Sequence, residues 1–84
     1  MIDKNEKEIL IGHVLVVYRT TIGFTSADPD CNSVVLNIQD TLLCIGYHDD
    51  PENFIRPEIM ALHSRIGLVY IGQCECRALS IVSE

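Results

Sequence analysis

The chain has 84 residues, 48% of them hydrophobic, and a net charge of −6 from 12 Asp and Glu against six Lys and Arg. That length holds one small domain, and the apolar share is generous for such a core, which points to surface buried against a partner. The acid excess, with no basic cluster, excludes the usual electrostatic footprint of a nucleic-acid binder and favours basic protein partners. Residues 1–8 are polar, and Asp3 is placed to cap a short N-terminal helix over 1–11. Gly12 would stop that helix, with Ile2, Ile9 and Leu10 on its buried face.

His13 to Val17 is β-branched and apolar and predicts a strand. Arg19 to Thr25 predicts a second, so the chain must turn near Tyr18. The run Ala27-Asp28-Pro29-Asp30-Cys31-Asn32 is a turn signal: Pro presets φ, and Asp and Asn side chains bond nearby backbone amides. Ser33 to Ile38 opens a third strand that runs on toward Cys44 or Tyr47. His48 to Asn53 reads as an exposed acidic loop. Pro57 to Ser64 suits either a helical turn opened by Pro57 or the entry to a long strand. Ile66 to Ile71 is a strand, Gly72-Gln73 a turn, and Cys74 to Val82 the last strand.

The charged opening residues do not read as a signal peptide. The longest apolar run, Ile9 to Tyr18, is interrupted by Gly12 and His13 and is too short to span a bilayer. Without a leader, the four Cys read as free thiols in a reducing, cytoplasmic compartment. A helix followed by five short strands is the order of a small, strongly bent antiparallel barrel. Periodicity alone reaches only a small, mainly β domain.

Two segments carry a family resemblance. Gly23, Phe24, Asp28, Asn32, Val34 and Leu36 resemble the first motif of Sm-like (LSm) proteins. Ile66 to Ile71, Gly72 and Leu79 to Val82 resemble the second. The resemblance implies a single Sm-like domain over 1–84: helix 1–11, first motif 13–47, linker 48–64 and second motif 65–82. Its motif and turn residues would be Gly23, Asp28, Asn32 and Gly72. Within the family, the turn Asp28-Pro29-Asp30-Cys31-Asn32 and the strand Arg65-Ile66-Gly67-Leu68-Val69 are similar to those of small auxiliary subunits of NatC, the N-terminal acetyltransferase C complex. So is the junction Ile11 to Val17. That likeness implies a non-catalytic, ribosome-associated subunit of a hetero-oligomer whose partners are the large auxiliary and catalytic subunits. It would support acetylation of nascent chains that begin with Met and a bulky apolar residue. The family's open fourth and fifth strands imply partner contacts at Leu68, Tyr70, Leu79 and Ile81. Two departures stand out: the first hairpin is shortened around Arg19 to Gly23, and Ile71 occupies the place of an RNA-binding Arg.

Sharper readings compete with plainer ones. Asn32 suits a uracil edge, as in an RNA-binding Sm ring of splicing or mRNA decay, or simple fixing of its turn; Ile71 and the acid excess favour the turn. A small acidic mimic of nucleic acid would explain the charge but not the motif halves. Asp28 and Asp30 suit turn amides better than acid–base chemistry. Cys74 and Cys76, two apart on a strand, share a face and suit packed thiols; zinc would need a second ligand pair, beyond His13 or His48. Cys31 has no neighbouring base. No Gly-rich loop suits phosphate or acetyl-coenzyme A, so no cofactor is expected.

Overall fold

The computed structural model describes residues 1–25, 32–50 and 55–83. It contains seven strands: β1 (Val14–Val17), β2 (Thr21–Phe24), β3 (Ser33–Leu36), β4 (Thr41–Asp50), β5 (Ile55–His63), β6 (Gly67–Gly72) and β7 (Leu79–Ser83). They form one antiparallel sheet in the order β3-β2-β6-β5-β4-β1-β7.

The core follows from strand alternation. Residues directly opposite one another share a face. Cys44, Ala61 and Val69 make one inward row across β4, β5 and β6, and Ile59 and Ile71 begin the next. All five are fully buried, together with Leu15, Leu36 and Leu79. Each large aliphatic side chain buried this way contributes roughly 1.5–3 kcal/mol. Register shifts at Val14/Leu15, Cys44/Gly46 and His48/Asp50 break the ladder. Such bulges bend a sheet and increase its twist, which is how residues from β1, β3 and β7 join those of β5 and β6 in one cluster.

Several expectations need correction. No helix forms over residues 1–11; the segment doubles back through an Ile2–Glu8 bridge. Asp3 does bind backbone amides as a cap would, accepting from Asn5 N–H at 2.8 Å and Lys7 N–H at 2.9 Å. Asp3 N–H, however, closes the turn onto the Lys7 carbonyl, and Glu6 sits at φ 63°, outside helical space. Ile9 enters the core, whereas Leu10 is 47% exposed.

The expected linker over 48–64 is mostly strand. β4 and β5 pair from Leu42↔His63 to Asp50↔Ile55. Pro57 lies in the irregular stretch of that ladder, where a missing N–H costs least. The third strand ends at Leu36, and Asp40 accepts from Asn37 N–H at 3.1 Å to close the turn into β4. The last strand starts late: one 3-10 turn, Glu75–Ala78, precedes β7. Cys74 and Cys76 therefore do not share a strand face; Cys74 is exposed and Cys76 is in the core. The acidic turn with Asp28, Asp30 and Cys31, and the centre of the expected 48–53 loop, lie outside the described residues.

Candidate functional site

The sheet's two ends differ. β7 has β1 on one side and the N-terminal segment on the other. Lys4 N–H donates to the Leu79 carbonyl at 2.8 Å, and Ile81 N–H donates to Asp3 Oδ2 at 3.0 Å. Lys4 Nζ lies 4.1 Å from the centre of the Tyr18 ring, a cation–π contact that holds the arm. Asp3 is fully buried. Burial is the largest single influence on its carboxyl and opposes ionisation, but donors from Ile81, Lys7 and Asn5 together hold it below the ordinary value. At the other end, β3 pairs with β2 alone among the described residues. The hairpin's end bond, Thr25 N–H to the Asn32 carbonyl at 3.5 Å, sets the alternation that turns the backbone groups of Ser33 and Val35 outward.

The expected interface residues separate on this frame. Leu79 is wholly buried, so its side chain is not offered to a partner, and Ile81 is partly buried against the core. Tyr70 is half-buried, opposite Phe24 and edge-on to the His48 ring at 5.7 Å. Leu68 is exposed, and it is not alone. Leu43, Leu62 and Leu68 stand opposite one another across β4, β5 and β6, at 39%, 44% and 38% exposure. Val14 of β1 extends the row. Gly23 lets β2 approach β6: a Cβ there would meet the Tyr70 carbonyl at 3.3 Å and Leu36 at 3.5 Å. Asn32 is exposed, and its backbone carbonyl accepts from Thr25 N–H and from Thr25 Oγ1, both at 3.5 Å.

Near the β5–β6 turn lies a polar clamp. Buried His63 bonds Asp40 Oδ2 through Nε2 at 2.8 Å. Its Nδ1 accepts from Arg65 N–H at 3.1 Å and Ile66 N–H at 3.3 Å, which makes Nε2 the protonated nitrogen. Arg65 reaches Asp40 Oδ2 at 3.1 Å. The His63 bond, then Asn37 N–H, hold the Asp40 carboxyl below its usual range. With both ring nitrogens occupied, this pair ties the β3–β4 turn to the β5–β6 turn instead of offering a free base.

A groove of about 390 Å³ opens at the far end of β5 and β6, lined by Phe24, Glu58, Gly72, Gln73, Cys74 and Glu75 among others. Glu58 stands directly opposite Gly72 on one side and His48 on the other. Glu75 folds over the same glycine, with Oε2 only 2.6 Å from where a Cβ would be. Burial is the main influence on Glu58 and, with the nearby Glu75 charge, pushes its carboxyl up, against a smaller opposite pull from His48. His48 Nε2 is buried without a hydrogen-bond partner among the described residues. No group of three or more His, Cys, Asp or Glu among the described residues is arranged to hold a metal.

No known protein family, curated protein or solved structure matches the chain. Sequence reasoning named Leu68 and Gly72 but not Leu43, Leu62 or Glu58. The available signal was the alternation of residues 41–47 and 57–63, obscured because both faces of those strands are rich in apolar residues.

Proposed function

We propose that this chain is a non-catalytic, protein-binding subunit with an Sm-like fold, and that its assembly is an N-terminal acetyltransferase complex of the NatC type. The exposed leucine row across β4, β5 and β6 carries the protein-binding part. Three large aliphatic side chains in register on a solvent face form an apolar strip suited to burial in an interface. The Sm-like part is supported by the ladder itself. Set apart the β2–β3 hairpin, and five antiparallel strands remain in continuous pairing, β7-β1-β4-β5-β6, bent by bulges. The acetyltransferase part rests on the likeness of the turn around Asp28 and of the strand from Arg65.

On this reading the chain works in the cytoplasm beside the ribosome, and chemistry belongs to another subunit. The large auxiliary subunit covers the leucine row, and basic residues at its rim suit the net charge of −6. An RNA-binding role is disfavoured because Ile71 is fully buried in the core, where it offers no cation to phosphate.

Affinity purification of the endogenous protein with mass spectrometry tests the proposal. Recovery of acetyltransferase subunits is the expected result. Recovery of Sm proteins with RNA, or of an unrelated enzyme, overturns the assignment.

A further inference from the structure

His63 holds two turns with one ring. Its side chain is only 1% exposed. Through Nε2–H it donates to Asp40 Oδ2, 2.8 Å away on the β3–β4 turn. Through Nδ1 it accepts from Arg65 N–H at 3.1 Å and Ile66 N–H at 3.3 Å, both on the β5–β6 turn. A neutral imidazole has one donor and one acceptor nitrogen, so this ring is fully used. An imidazolium has two donors and no acceptor. A proton can therefore reach Nδ1 only when both turn amides let go. Protonation and release of the turn are one event, and histidine is the side chain that ordinarily changes charge between about pH 5 and 8.

The charges around the ring give the release a direction. Asp40 faces it from the β3–β4 turn. The His63 bond, then Asn37 N–H, hold its carboxyl below the usual range, so it stays ionised through that window and keeps hold of a charged ring. Arg65 reaches the same carboxylate, at 3.3 Å to Oδ1 and 3.1 Å to Oδ2, and opposes a second cation beside it. The residues opposite His63 on β4 and β6, Leu42 and Gly67, carry no charge. Gly67 turns the chain at φ 88°, and the next pair along the ladder is Leu62↔Leu68. His63 also lines a hollow of about 250 Å³ beside Val14, Leu43 and Leu62. We propose that His63 is a proton-operated latch: protonation at Nδ1 frees the β5–β6 turn and, with it, the Leu62–Leu68 end of the leucine row, while Asp40 retains the ring. The latch goes beyond the reading of the chain as a protein-binding subunit, because it is a property of the isolated chain that makes this surface sensitive to acid.

The test follows the isotope-labelled full-length chain by NMR from about pH 8 to about pH 5, the range in which histidine titrates. Ring nitrogen shifts report on His63 separately from His13 and His48. The expected result is a neutral ring protonated on Nε2 at the high end, with amide shifts at Arg65, Ile66 and Leu68 that share one midpoint with the His63 ring. Protection of the Arg65 and Ile66 amides against hydrogen exchange should fall about tenfold across that midpoint, the worth of one or two neutral hydrogen bonds. The Leu62 and Leu68 methyl signals should move with them. His63→Asn can offer Oδ1 to the same amides but takes up no proton, so the pH response should vanish. Arg65→Gln keeps the backbone donor and removes the competing cation, so the shared midpoint should rise. The Arg65 side chain is 64% exposed, so this variant keeps the test decisive if His63→Asn does not fold. A ring that titrates while the turn amides stay still, a turn response that follows His13 or His48, a ring that stays neutral down to about pH 5, or an unmoved midpoint in Arg65→Gln would each overturn the latch. Partner recovery from cells is a separate measurement, so the latch and the subunit reading stand or fall independently.

Discussion

The two ends of the sheet solve the same problem in opposite ways. An outer strand offers unpaired N–H and C=O groups to any strand that approaches. At β7 the chain covers that edge itself: Asp3 and Lys4 bind Ile81 and Leu79, and Ile9 anchors the arm in the core. At β3 a four-residue strand without a charge, Ser33–Leu36, stands with Val35 55% exposed. The difference teaches where association is discouraged and where it is allowed. One end is closed by a buried carboxylate that accepts from three backbone amides. Among the described residues, the other is limited only by its shortness.

The largest effect should come from breaking the closed end. Asp3→Ala leaves the Ile81, Asn5 and Lys7 amides without their shared acceptor. The expected loss is about 3–5 kcal/mol, from several hydrogen bonds to one charged group at about 1.5–3 kcal/mol each, partly offset by water. Urea unfolding measures it. Sedimentation of the residual folded fraction should also show self-association through the uncovered β7 edge. A loss below about 1 kcal/mol would mean that the arm is decoration and the two ends are equivalent.

Next in size is the leucine row. Leu62→Asp should remove partner recovery in cells while changing the isolated chain's stability by less than about 1 kcal/mol, because the side chain is already exposed. Pull-down and urea unfolding on the same variant separate the two quantities. Retained recovery would move the interface to the β3 edge. Tyr70→Asp is the wrong probe: Tyr70 packs beside Phe24 and His48, so its loss reports on folding.

The open end should respond more mildly. Val35→Lys adds a gatekeeping charge on an exposed strand and should leave stability within about 0.5 kcal/mol of the parent. Any concentration-dependent association of the isolated chain should fall. Unchanged association would show that β3 is too short to template a neighbour and that the closed end's protection serves stability alone.

How much of this was legible in the sequence depends on whether a signal was local. β1, β2 and β6 were legible because β-branched runs lie between turn residues. Asp3 was legible as a residue that binds amides, but not as the lock on β7, since Ile81 is 78 positions away in the chain. The β4–β5 pair was obscured by its own outer face. Leu43, Ile45 and Leu62 are apolar and exposed, so the alternation with Leu42, Cys44 and Ala61 reads as an undifferentiated apolar run. The groove was illegible for the same reason as the lock: Phe24, Glu58 and Glu75 meet only through the pairing of β2, β5 and β6.

The smallest effect is also the sharpest, because it compares two buried carboxylates directly. The Asp3 carboxyl is held below its ordinary value of 3.8, so its stabilisation is full above that value and disappears as pH falls through the lower folded-state value. Asp40 adds to the same acid-side loss. The Glu58 carboxyl is pushed up from 4.5, so the sign reverses: its contribution is favourable at low pH and is lost as pH rises through the elevated folded-state value. Asp3→Asn should therefore flatten the acid limb of the stability profile. Glu58→Gln should instead remove a penalty near neutrality and leave the chain as stable as the parent or slightly more so. Urea midpoints from pH 3 to 8 measure both effects. If Glu58→Gln destabilised the chain at neutral pH as Asp3→Asn does, Glu58 would have to be a satisfied structural ion like Asp3.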